Sequence, residues 1–120
     1  MRLVADLLVG ALAVLHLWFL VLEMFLWRRR LGLTTFGMSA ADAEVTAPLA
    51  ANQGLYNGFL AAGLAWSLIV RDSTGLQFKV FFLGCVIVAG VFGGLTASRR
   101  ILVVQALPGV LALAAVLAGR

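Results

Sequence analysis

Four long apolar runs, separated by breaks too short to hold another domain, constrain this chain more than any other feature. They extend over about 3–27, 48–70, 78–97 and 101–118. A helix rises ~1.5 Å per residue, so about 20 residues cross a hydrocarbon core of ~30 Å, and each run meets or approaches that length. A water-soluble fold would need polar stretches to cover such runs. Of the 120 residues, 63% are hydrophobic and 12% charged, and the mean hydropathy is +1.09. The expected fold is an all-α integral membrane protein, an antiparallel four-transmembrane-helix bundle forming one domain over residues 1–120.

The breaks set the connections. Residues 28–47 contain Asp42 and Glu44 and read as a polar loop with room for a short interfacial helix, and Pro48 suits the first turn of the helix that follows. Residues 71–77 and 98–100 read as tight turns that force antiparallel neighbours. Arg2 ahead of an apolar stretch resembles a secretory signal, but the run is too long, carries His16 and Glu23, and lacks a small-x-small cleavage site. It is expected to stay attached. The single cysteine, Cys85, lies in an apolar run, where it rules out an intramolecular disulfide and reads as packing.

A net charge of +4 and a pI near 10.7 raise the question of nucleic acid. The arginines flank the apolar runs instead of forming a stripe, which anchors helices to anionic lipid and argues against nucleic-acid binding. Trp27 followed by Arg28, Arg29 and Arg30 is an aromatic and then a basic interface anchor. Five basic residues (Arg28, Arg29, Arg30, Arg99, Arg100) fall on the side of the first and third breaks, against four (Arg2, Arg71, Lys79, Arg120) on the other. That bias predicts both termini outside, and its small margin also permits dual topology.

Polar groups inside a bilayer need a partner or a water-filled cavity. Glu23 lies four residues before the end of the first run, and Asn52 and Gln53 lie about as deep from the start of the antiparallel second. Thr96 closes the third run on this side, and Gln105 lies four residues into the fourth. One cytoplasmic-side layer is expected to hold them, with Arg99 and Arg100 at its rim. At ~100° per residue, Asn52, Gln53, Tyr56 and Asn57 share an arc of about 140°. The opposite arc collects Gly54, Gly58, Ala61 and Ala65, and the third run repeats the small-residue spacing with Gly90 and Gly94 and with Gly93 and Ala97, as at close helix contacts.

His16 shares the Glu23 face but sits deeper. It is read first as a core histidine with its hydrogen bonds met, ahead of a haem or metal ligand or a proton carrier. The polar face of the second run has two readings: a binding site, or a seam of amides bonding to neighbouring helices. Glu23 likewise either lines a pocket or pairs with Arg28. Cys/His metal spacing, a glycine-rich phosphate loop and a nucleophile elbow are all missing from the sequence.

The stretches His16–Trp27, Asn52–Gly63 and Phe82–Gly93, with Leu95-Thr96 and Gln105–Gly109, closely resemble a bacterial family of short four-helix membrane proteins catalogued as a domain of unknown function. That resemblance covers nearly the whole chain and implies the bacterial plasma (inner) membrane, without supplying a function. The chain is also similar, more weakly, to the membrane-associated eicosanoid and glutathione metabolism proteins. Asn52 to Trp66 looks like the Asn-rich second helix of those four-helix trimers, and Phe92, Gly93, Thr96, Arg99 and Arg100 follow the order at the end of their third. Tyr56 and Asn57 stand where those proteins usually carry a glutamate, and their tyrosines after helix three are absent, which speaks against glutathione chemistry. The resemblance implies a homo-oligomer, a trimer ahead of a dimer.

Three functions follow as expectations. The first is binding, with or without catalysis, of a small lipophilic or amphipathic molecule by Glu23, Asn52, Gln53, Tyr56, Asn57, Thr96, Arg99, Arg100 and Gln105. The second is proton-coupled transport through Glu23, as in small multidrug exporters, although a coupling carboxylate belongs nearer mid-depth. The third is a structural or assembly subunit of a membrane complex.

Overall fold

The computed structural model describes residues 1–120, all of them in helices or the turns between helices. Five α-helices follow in order: α1 (Arg2–Met24), α2 (Arg30–Phe36), α3 (Ala40–Ile69), α4 (Ser73–Thr96) and α5 (Leu107–Gly119), the last preceded by a π-helical turn at Leu102–Ala106. Three segments, Arg2–Met24, Ser73–Thr96 and Leu102–Gly119, are long and apolar enough to cross a membrane. Only 22%, 22% and 28% of their most apolar windows are buried. Large apolar side chains such as Leu7, Leu17, Val88, Phe92 and Leu95 therefore lie on the outside, an arrangement suited to lipid.

The helix boundaries depart from expectation where local hydrogen bonding outweighs hydropathy. The first helix stops at Met24 instead of Trp27, and Phe25 and Leu26 both donate their N–H groups to the Val21 carbonyl as the chain turns. The segment 28–47 is not mainly a loop. Helix α2 occupies Arg30–Phe36 and closes on Gly37, whose φ of 62° a side chain would disfavour. The Gly37 and Met38 N–H groups both return to the Leu33 carbonyl, so the end is capped as it turns.

Helix α3 then begins at Ala40, eight residues before the expected start. Ser39 Oγ accepts from the Asp42 N–H at 3.1 Å, and Asp42 supplies an acid in the first turn. Ser39 is thus the N-cap of α3. Pro48, expected in the first turn, lies inside α3. It lacks the N–H that would bond to the Glu44 carbonyl. The helix passes through because Pro48 and Glu44 are exposed and alanines 40, 41, 43 and 47 favour helix around the gap.

Helix α4 starts at Ser73, not Phe78, because Asp72 Oδ1 accepts from the Thr74 and Gly75 N–H groups at 2.9 and 3.4 Å. The fourth run is helical from its beginning but opens with the π turn, in which the Leu107 N–H reaches the Leu102 carbonyl. Pro108, following directly, cannot donate to Val104, and the longer register takes up that gap.

The chain divides into two compact units, Val14–Ala61 and Met1–Ala13 with Ala62–Arg120. Inside Val14–Ala61, α1 and α3 run antiparallel: a Cβ on Gly54 would sit 2.7 Å from Met24 Cγ and 3.0 Å from Glu23 Cβ, and one on Gly58 would sit 2.6 Å from Leu20 Cδ1. The small face read from the sequence is the packed one here, with Gly54 and Ala61 buried, whereas Ala65 is exposed. In the other unit, α4 and the final helical segment form an antiparallel hairpin. Gly90 lets α4 approach the backbone of Ala106, whose nitrogen would lie 2.5 Å from an added Cβ. Gly94 faces Leu102 and Gly109 faces Val86 and Ile87 in the same hairpin.

Candidate functional site

The unit Val14–Ala61 carries most of the polar residues singled out in the sequence. Near the end of α1, Glu23 accepts a hydrogen bond from the Asn57 side-chain amide of α3, Nδ2 to Oε1, at 2.5 Å. Asn57 is 7% exposed, so this carboxyl and amide meet with little water around them. The pairing depends on the small residues beside it, because Gly54 brings α3 against the Glu23 stem. Glu23 does not pair with Arg28. That arginine bonds instead to Glu44 at 3.2 Å, in an ion pair exposed on both sides.

Around Glu23 opens a cleft of about 440 Å³. Met24, Phe25, Pro48 and Ala51 give it an apolar lining, while Glu23, Arg28, Arg29 and Glu44 supply charge. Trp27 stands at the wall with its indole N–H donated to Thr46 Oγ1 at 3.0 Å and its ring against Phe36, 4.7 Å between centroids. Thr46 in turn donates to the Asp42 carbonyl at 2.7 Å. This chain of bonds fixes the arginine-bearing turn against the first turns of α3.

The amphipathic face expected on α3 splits in two. Asn57 turns inward to Glu23, but Asn52, Gln53 and Tyr56 are exposed, Tyr56 with its ring edge on Phe59 at 5.6 Å. His16 is completely buried and packs edge-on against Phe19 at 5.3 Å. A haem at this position would have to displace protein atoms that enclose the imidazole on every side.

The remaining expected residues belong to the other unit. Thr96 donates its hydroxyl to the Phe92 carbonyl of its own helix at 2.7 Å, an assignment that leaves it exposed but locally occupied. Arg99 and Arg100 are exposed in the turn before Leu102, and Gln105 is partly buried within the π turn. They add positive charge and an amide to that hairpin.

A second charged cluster escaped the sequence reading. Asp6 of α1 accepts from Arg71 at 2.8 Å and from Lys79 at 2.9 Å. It lies in an open cleft of about 420 Å³, and the Lys79 side chain is only 15% exposed. The signal was present: an acid three residues past the start of the first run lies level with the basic residues flanking the second break, by the same depth comparison that set Glu23 beside Asn52 and Gln53.

Carboxylate and guanidinium groups line both clefts, with the Lys79 ammonium added around Asp6, and no group of three or more His, Cys, Asp or Glu side chains gathers to hold a metal. No curated protein and no solved structure matches the chain. One family model does match, over residues 10–117 and so nearly end to end. The chain therefore belongs to the family described as Protein of unknown function (DUF1304).

Proposed function

We propose that this protein is a multi-pass protein of the bacterial inner membrane that binds a small amphipathic molecule in the Glu23 cleft. The observation that carries the reading is the composition of that cleft. A carboxyl held by a neutral amide shares its cleft with apolar walls, with Arg29 and with the Arg28–Glu44 pair, which is the combination a ligand with a polar head and a hydrocarbon body needs. The head would bond to Glu23 and the arginines, and the body would lie along Met24, Phe25 and Pro48.

Four crossings are part of the proposal. Helix α3 has thirty residues, a length of roughly 45 Å at ~1.5 Å per residue. Its amides lower its hydropathy below that of the other three segments, and Asn57 offsets part of that cost by bonding to Glu23. The exposed Asn52, Gln53 and Tyr56 favour an arrangement in which another copy of the chain covers them, a trimer ahead of a dimer, because amides facing lipid without partners are costly. Both termini outside and the Glu23 cleft toward the cytoplasm follow from the arginine count.

The test is native mass spectrometry of the purified chain with its co-purifying lipophilic molecules. Retention of one class of amphipathic ligand, reduced about tenfold or more by Glu23→Gln at unchanged stability, is the expected result. Equal retention of every ligand by the wild type, Glu23→Gln and Asn57→Ala would sink it. Position in the last turn of α1 makes Glu23 a poor coupling carboxylate for transport, so proton flux in liposomes is expected to be the same with and without it.

A further inference from the structure

We infer that the Asp6 cleft is a binding site for a phosphate monoester, independent of the Glu23 cleft. Arg2 and Asp6 come from the start of α1, Arg71 and Asp72 from the turn before α4, Lys79 from α4 and Arg120 from the end of the chain, and all of them line one cavity. Among the lining side chains, four cations face two carboxylates, a side-chain surplus of two positive charges. A phosphate monoester carries about −1.5 to −2 at neutral pH, which complements that surplus, whereas a diester carries about half as much.

The two carboxylates have structural duties. Asp72 caps α4 through the Thr74 and Gly75 N–H groups. Asp6 holds Arg71 and Lys79 together, taking one donor from each. An ammonium has three N–H donors and a guanidinium five, so both cations keep donors for an anion, and charge-assisted bonds to phosphate are the strong kind. Arg2 is fixed similarly, its Nε donating to the Gly119 carbonyl at 3.2 Å while its terminal nitrogens remain.

The cavity also exceeds what a bare phosphate needs. Ala5, Val70, Leu76 and Val116 extend the lining with apolar surface, which suits an organic substituent on the ester. The three elements that build the site begin or end here, where apolar spans give way to charge. A lipid headgroup and a soluble sugar or glycerol phosphate share this chemistry.

The experiment uses the full chain in detergent, with retained phosphatidic acid, phosphatidylglycerol and phosphatidylcholine counted by native mass spectrometry. Phosphatidic acid is expected to bind best. The double variant Arg2→Gln/Arg120→Gln leaves the Asp6 contacts intact and is expected to weaken that binding roughly 25-fold, at about fivefold per charge removed. Arg99→Gln/Arg100→Gln, which removes two charges beyond the opposite end of α4, should leave it unchanged. Displacement of phosphatidic acid by glycerol 3-phosphate supports a soluble ester as the ligand, and resistance to displacement supports a lipid. Equal retention of all three lipids, or wild-type binding by Arg2→Gln/Arg120→Gln, would overturn the assignment.

Discussion

Asp6 and Glu23 are the two carboxylates of α1, and their surroundings differ in kind. Asp6 touches two cations and Glu23 touches one neutral amide. A carboxylate between an ammonium and a guanidinium has its charge more than matched, so it acts as a strut that holds cations in place, and removing it leaves the mostly buried Lys79 without its counter-charge. A carboxyl bonded to an amide keeps its charge or its proton for another molecule. The same residue class thus pairs with two cations in one unit and with a neutral amide in the other. Packing differs in parallel: Gly75 near Asp6 faces the Val70 carbonyl, whereas the nearest atoms to Gly54 and Gly58 belong to side chains of α1.

The largest expected effect probes that packing difference. A Cβ at Gly75 would lie 1.7 Å from the Val70 carbonyl oxygen, and neither backbone segment can yield without breaking the turn that Asp72 caps. Gly75→Ala is expected to lower stability by about 3 kcal/mol. At Gly54 the nearest atom is Met24 Cγ, which can rotate away, but Glu23 Cβ at 3.0 Å is tied to the α1 backbone; with the added methyl favouring helix, Gly54→Ala is expected to cost about 1–2 kcal/mol, less than Gly75→Ala. Thermal melts in one detergent, followed by circular dichroism, rank the pair. Similar melting temperatures would show that backbone and side-chain contacts yield alike.

Next in size is the strut. Asp6→Asn leaves Lys79, whose side chain is 15% exposed, without its counter-charge. A loss of about 2 kcal/mol is expected, below the figure for a fully buried pair because Arg71 can reach solvent. Restoration of stability by Asp6→Asn/Lys79→Gln, which removes the orphaned ammonium as well, distinguishes charge imbalance from a packing defect. No recovery in the double variant would remove the strut from the comparison.

Much of this organisation was legible in the apolar runs, because length and hydropathy alone decide whether a segment can cross a bilayer. The depth comparison set Glu23 level with Asn52 and Gln53 of the second run, because antiparallel helices of equal rise place equal offsets at one level, and the residue that bonds to Glu23 is Asn57, four residues deeper than Gln53. It failed to single out Asn57 from Asn52, Gln53 and Tyr56. Helical phase groups those four, but Asn57 lies at the edge of the arc beside Gly54, and which edge turns inward depends on the neighbour. Helix starts at Ala40 and Ser73 were readable from Ser39-x-x-Asp42 and from Asp72, yet hydropathy ignores caps and so placed both starts too late. The Asp6 cluster went unread because Arg71 and Lys79 were counted as anchors for lipid, not as partners for an acid.

The smallest effects on stability are expected where the comparison predicts the largest effects on binding. Asn57→Ala removes the amide from Glu23 and is expected to cost about 1 kcal/mol, the usual net value of one hydrogen bond. Glu23→Gln keeps an oxygen for Asn57 to donate to and nearly the same volume, so its melt is expected to lie within about 0.5 kcal/mol of wild type. Ligand retention should fall in both variants, and further in Glu23→Gln, because only that change removes the acid itself. A strut behaves the opposite way, losing stability first and ligand second. If Glu23→Gln proves as destabilising as Asp6→Asn, Glu23 carries a structural charge in its own unit, and the distinction between the two carboxylates collapses.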